Sequence, residues 1–241
     1  MHVPARLFAS VAIAGATLIA AVAPVSAGVA HMETLVVGSR DMLPSAAAIL
    51  AANPCQDPAH RFLGGKWQNG EYRWAFNAAS TPDRLGRNAV EHVLMRSFNN
   101  ITGARNSCGL PDNVSATHTY LGTTSTKPKC TQRDHKNVVG FKRLQLGVLA
   151  VTCYWISSNR IVEADIAFNT RQDWALSMNG CHHQPFLEST ATHEAGHAFG
   201  LGHVGERRHG RLTMSPFLDG PCNAAEASLG LGDVRGLEAL Y

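Results

Sequence analysis

The stretch Thr192-His193-Glu194-Ala195-Gly196-His197-Ala198-Phe199-Gly200-Leu201-Gly202-His203 decides the reading of this 241-residue chain. His193 and His197 are four residues apart, so on a helix both imidazoles lie on one face, one turn apart, where they can share a metal ion. Glu194 is rotated by about 100° from His193 around that helix. This suits a carboxylate beside a water molecule rather than a ligand. Gly200 can take the left-handed conformation that ends a helix. The chain can then turn back and bring up His203 as a third ligand. Three imidazoles and one open position make a catalytic zinc arrangement. At this chain's His, Glu and Gly frequencies, the five fixed residues would coincide by chance on the order of once in 10,000 such sequences. Three histidines in one turn and its return loop have no packing rationale.

The rest of the chain supports a folded, exported domain. The composition is 45% hydrophobic and 16% charged, with a formal net charge of +3, which excludes disorder and gives enough apolar material for one substantial core. So small a charge argues against nucleic acid as a partner. Residues 1–27 have the pattern of a secretory signal peptide: Arg6, an apolar run over 11–23, then Val25 and Ala27 as a small-x-small site, with cleavage expected after Ala27. No mature segment reads as a membrane span. Residues 28–60 read as an N-terminal arm or short prosegment, and 61–241 as the functional domain. The six cysteines, Cys55, Cys108, Cys130, Cys153, Cys181 and Cys222, all lie beyond the expected cleavage point. An even number in an exported chain suggests three disulfides, and none has the C-x-x-C spacing of a redox or zinc-knuckle site.

Periodicity gives a coarse element map. Tyr72, Trp74 and Phe76 alternate with Arg73 and Ala75, as in a half-buried strand. The four-residue recurrence of Leu85, Ala89 and Val93, beside Val90, Leu94 and Phe98, predicts a helix over 82–98 opening at Thr81-Pro82. Further strands are expected at 118–121, 138–141, 148–155 and 161–168, with a turn at Ser157-Ser158-Asn159-Arg160. In the last strand, Val162, Ala164, Ile166 and Phe168 fall on one face and Glu163 and Asp165 on the other. The fold class is α+β: one domain with a twisted mixed sheet, an active-site helix and a C-terminal helix. Two Asn-x-Ser/Thr triplets, at Asn100 and Asn113, are either glycosylation acceptors or ordinary surface asparagines.

The histidine motif, with Met214 eleven residues beyond it in Leu212-Thr213-Met214-Ser215-Pro216, resembles the metzincin metallopeptidases and their Met-turn. Within them the chain is most similar to compact, bacterial-type matrixins. Lys66-Trp67 with residues 72–77 resembles their first strand. Residues 164–169 resemble their substrate-lining edge strand. Pro216 stands two after the Met, and residues 231–241 resemble the terminal helix. The resemblance spans roughly 60–241. It implies a secreted, extracellular, monomeric zinc endopeptidase with no nucleic-acid or membrane partner. It places His193, His197 and His203 on one catalytic zinc, Glu194 as general base, and Met214 as an apolar floor beneath the ion. An extended polypeptide substrate would lie along Ala164 and Ile166, with Thr190, Ser215 and Pro216 near the pocket for the residue after the cut. Residues 113–137 match neither the structural-zinc histidines nor the calcium loops of matrixins. Cys108-Gly109-Leu110-Pro111-Asp112 resembles the cysteine switch but follows the first strand, where a switch should precede it. A Cys108–Cys130 disulfide is preferred, with Cys181–Cys222 tying the entrance of the active-site helix to the segment after the Met, and Cys55–Cys153 remaining. The rival to a peptidase is a zinc-holding binding or toxin-like module; Glu194 argues against it, since holding zinc does not need that carboxylate.

Overall fold

The computed structural model describes residues 29–36 and 51–241; the expected signal peptide at 1–27 lies outside the described residues, as do 28 and 37–50 of the arm. Along the chain run β1 (Ala30–Val36), β2 (Glu71–Phe76), α1 (Arg87–Thr102), β3 (Thr117–Thr123), β4 (Val138–Lys142), β5 (Val148–Ser157), β6 (Arg160–Asn169), α2 (Leu187–Ala198), α3 (Glu206–His209) and α4 (Leu231–Leu240), with single 3-10 turns at Ala78–Ser80 and Ala225–Ala227. The architecture is a twisted, six-stranded mixed sheet ordered β1-β5-β6-β4-β2-β3. Strands β6, β4, β2 and β3 are mutually parallel, whereas β5 is antiparallel to both its neighbours.

Strand β2 is as the alternation demands: Tyr72, Trp74 and Phe76 are wholly buried. The rings of Tyr72 and Trp74 meet Phe98 of α1, at 5.3 Å and 4.5 Å respectively. Helix α1 buries Val90, Val93, Leu94, Ser97, Phe98 and Ile101, a stripe at helical spacing. It begins at Arg87 rather than 82 and continues to Thr102. Residues 82–85 instead close a separate turn, Leu85 N–H to Pro82 O at 2.8 Å, and the extended Gly86 breaks continuity between the two.

The turn between β5 and β6 has Ser158 and Asn159 both at positive φ, 51° and 60°. That is the twist-compatible turn of a two-residue hairpin. It sends β6 inward, to pair with β5 on one side and β4 on the other. Residues 164–169 are therefore not an edge. Ala164 and Ile166 are buried at 0% and 1% exposure. Beyond β6 comes β5, and β1 pairs along its far side as the edge strand.

On the other face of β5, Val151, Cys153 and Trp155 form a second apolar cluster with Cys130 and Leu144. Cys153 is joined there to Cys130, with Cα atoms 5.2 Å apart. The other bonds are Cys55–Cys108 and Cys181–Cys222. The Cys130–Cys153 and Cys55–Cys108 bonds replace the expected Cys108–Cys130 and Cys55–Cys153 pairs. The physical reason is facial: alternation turns Cys153 towards the Cys130 loop. Cys108, bonded to Cys55, is no thiol switch. The Cys130 loop is also held by the buried carboxylates of β6. Glu163 accepts from the Asp134 amide at 3.0 Å and from the His135 amide, and Asp165 accepts from the amides of Lys129 and Val138 at 2.6 and 2.7 Å.

Candidate active site

Helix α2 is buried along its whole length, packed against both α1 and the sheet. Its end is a Schellman motif: Leu201 N–H reaches Gly196 O at 3.0 Å, Gly200 N–H reaches His197 O at 2.9 Å, and Gly200 sits at φ 96°. A Cβ on Gly200 would also fall inside 3.0 Å of the Gly65 carbonyl, so both conformation and space demand glycine. The remaining carbonyls at the helix end are taken by Trp67 Nε1 on Ala198 O (2.7 Å) and Tyr241 Oη on Phe199 O (2.9 Å). The return segment 200–202 is clamped by Leu63 N–H to Gly200 O and Gly202 N–H to Arg61 O, at 2.9 and 2.8 Å. This delivers His203 opposite α2.

His193, His197 and His203 are the one group of three or more metal-capable side chains among the described residues. Their Nε2 atoms converge, 2.9 Å from His193 to His203 and 3.0 Å from His197 to His203. Each Nδ1 faces an acceptor. His193 donates to Thr213 O at 2.6 Å, His197 to Leu201 O at 2.7 Å, and His203 lies 3.3 Å from Glu33 Oε2. Carbonyl oxygens can only accept, so the proton sits on Nδ1 and the Nε2 lone pair is free. Burial holds His197 down at about 3 and His203 at about 4, and holds His193 well below its ordinary range. Three neutral lone pairs aimed at one point fit a cation.

Glu194 is wholly buried one residue along. Its Oε2 accepts from Thr152 Oγ1 on β5 at 2.5 Å, while Oε1 has no hydrogen-bond partner among the described residues. Burial pushes the carboxyl up to about 8, the Thr152 bond opposes this, and the nearby Glu33 charge adds to it. Such a group can receive and release a proton in the neutral range.

Met214 lies beneath α2, 2% exposed. A Cβ on Gly196, between the two helical histidines, would come inside 3.0 Å of Met214 Sδ. The turn that carries Met214 is held by Asp233 in the first turn of α4, whose carboxylate accepts from the amides of Thr213 (2.9 Å), Met214 (3.2 Å) and Gly230 (2.9 Å). The helix, the return loop with its third histidine and the Met-turn thus form one unit. The matrixin family model matches this chain over residues 66–241.

The chain belongs to the matrixin family. Matrixins are zinc-dependent metallopeptidases, and the three-histidine cluster of this matrixin could bind that zinc. No curated protein matches it. Of the other expected positions, Thr190 and Ser215 are buried, with hydroxyls turned to Phe186 O and to Glu206. Pro216 is half-buried. Asn100 is buried at 1% exposure with its amide on Glu188 and Thr192, which rules it out as a glycan acceptor in the folded protein; Asn113 is exposed. Sequence reasoning missed Thr152, Thr213, Asp233 and Glu33. Only Asp233 had a signal, an acidic residue in the first turn of the last helix.

Proposed function

We propose that this matrixin is a secreted endopeptidase using one zinc ion on His193, His197 and His203, with Glu194 as general base. The observation that carries the reading is the Glu194 carboxylate: one oxygen fixed by Thr152, the other buried and unpartnered beside three converging imidazoles. A zinc ion held there would polarise a peptide carbonyl, acidify a water and favour the ionised form of Glu194. Glu194 Oε1 takes a proton from the attacking water and later delivers it to the leaving amine. Thr152 keeps Oε2 occupied, so that Oε1 is the oxygen that works. The polypeptide substrate takes, as an added strand, the side of β5 that β1 pairs with in this structure, next to Thr152 and Glu194. Export agrees with the three disulfides, and no described helix is long and apolar enough to cross a membrane.

The test is casein or gelatin cleavage with and without a chelator, on the parent and on Glu194→Gln. The variant should retain zinc and fold while losing at least ~100-fold in turnover. Cleavage at the parental rate would refute the assignment of Glu194.

A further inference from the structure

The three ring nitrogens that face away from the metal position are satisfied differently. His193 Nδ1 and His197 Nδ1 donate to carbonyls beside the site, Thr213 O and Leu201 O. Among the described residues His203 Nδ1 has no such carbonyl. Its neighbour is a carboxylate, Glu33 Oε2 at 3.3 Å. Glu33 stands opposite Thr152, on the side of β5 that the proposed function gives to the substrate. Residues directly opposite in an antiparallel pair share a face, and Thr152 turns to Glu194. Any strand in that place, in that register, therefore presents one side chain to the active-site helix and to His203.

A cation stands beside this point. Residues 61–63 run along the return loop: Gly202 N–H reaches Arg61 O at 2.8 Å, Leu63 N–H reaches Gly200 O at 2.9 Å, and Phe62 bridges Leu201. The stem of Arg61 lies over Gly202, its Cγ 3.6 Å from where a Cβ would be. Arg61 is exposed, one residue away from the third histidine. Its charge reaches both partners of the contact. Burial raises the Glu33 carboxyl and Arg61 draws it back down, while burial lowers His203 and Arg61 lowers it further.

From this geometry we infer that the site selects polypeptides with a glutamate or aspartate opposite Thr152, the carboxylate taken between His203 Nδ1–H and Arg61, which makes Arg61 a specificity-determining residue. The inference rests on the peptidase reading and gives it a substrate class. A carboxylate on Nδ1–H fixes the ring and makes its other nitrogen a better ligand, so the acidic substrate completes the hydrogen bonding of the one histidine that the carbonyls leave unserved. A glutamine at the same place can accept from Nδ1–H but gains no attraction from Arg61. A lysine offers no acceptor and sets cation against cation. The expected order is therefore glutamate, then glutamine, then lysine.

The experiment uses the zinc-loaded chain from Gly28 onwards and peptides in which glutamate, glutamine or lysine is moved one position at a time through the residues flanking the cleaved bond. Each set is cleaved as a mixture. Peptides in one mixture compete for the same free edge, so occupancy of that edge by β1 cancels from the ratio of their kcat/KM values. At one position glutamate should exceed glutamine by about tenfold or more, as for a hydrogen bond gained by a charged group, and lysine by a wider margin. Arg61→Gln should bring the glutamate and glutamine peptides close to parity, and Arg61→Glu should reverse the order of glutamate and lysine, both at unchanged zinc content. Cleavage with no acidic preference at any position overturns the inference and leaves the peptidase reading intact. An acidic preference that survives Arg61→Glu also overturns it, since the carboxylate is then read elsewhere. If no peptide is cleaved, the peptidase reading falls, and binding of the same peptides to the zinc-loaded protein decides the inference alone. Tighter binding of the glutamate peptide that is lost in Arg61→Glu sustains the acidic site, and equal binding overturns it.

Discussion

Replacing Gly196 with Ala tests how the site is built. The substitution should stabilise an ordinary helix interior by about 1 kcal/mol, since alanine is the better helix former. Here the new Cβ would meet Met214 Sδ inside 3.0 Å and its Cε at 3.2 Å, against a comfortable carbon contact of about 3.5–4.0 Å. Methionine is flexible, but this one cannot move as a whole. Its amide is held by Asp233 at 3.2 Å and its carbonyl by the Val204 amide at 3.0 Å. Its side chain is 2% exposed, and Ile101 Cδ1 stands 3.8 Å from the same added Cβ. Overpacking of this kind costs about 1–3 kcal/mol. The net expectation is a change between about zero and a loss of about 2 kcal/mol once the helix gain is subtracted. Because Thr213 O orients His193, the strain should also weaken zinc binding. The double-mutant cycle makes the argument sharp. Met214→Ala alone should cost about 2–5 kcal/mol as a cavity. In that background Gly196→Ala should become favourable by up to about 1 kcal/mol, a coupling of about 1–3 kcal/mol, the overpacking cost itself. Urea unfolding of the four metal-free proteins, with a zinc titration of each, measures both effects. If Gly196→Ala shows the full helix gain of about 1 kcal/mol with Met214 present, or changes stability by the same amount without it, the close approach of helix and Met-turn is not what requires glycine.

Three further outcomes are expected. His203→Ala should lower zinc affinity sharply, measured by competition with a chromophoric chelator, and unchanged affinity would place the third ligand elsewhere. Thr152→Val removes the donor that favours ionised Glu194, so the acid limb of kcat/KM should move to higher pH; an unmoved limb would detach Thr152 from the base. On acidification, unfolded histidine takes up protons near pH ~6.5 while buried His203 resists until about pH 4. The unfolded state then binds more protons, so stability present above about pH 6.5 is lost as pH falls towards 4, on the order of 3 kcal/mol for this residue. Zinc competes for the same lone pairs, so its loss should track activity, and circular dichroism recorded with zinc content across the series would expose any other order.

The local chemistry of this protein was legible in the sequence because it is written at helical spacing. His193, Glu194 and His197 need only the 3.6-residue turn to find their relative places, and Gly200 announces the reversal that brings His203 back. The buried stripes of β2 and α1 follow from the same short-range periodicities, with the start of α1 shifted because Pro82 and Leu85 close a turn first and Gly86 is extended. What the linear chain does not encode locally is which strand lies outermost. Strand β6 reads as well for an edge as for an interior, since its burial depends on where a two-residue hairpin folds it. The same ignorance of facing misplaced two of the three disulfides, while Cys181–Cys222 is as expected: Cys153 is turned towards Cys130 by the alternation of β5 and by a loop that two buried carboxylates hold down. Thr152, Thr213, Asp233 and Glu33 reach the site from separate parts of the chain, and none shares a motif with the histidines. Hydrogen bonds between residues so distant in the chain have no periodicity to betray them, and only the packed sheet, helix and Met-turn bring them within reach of one another.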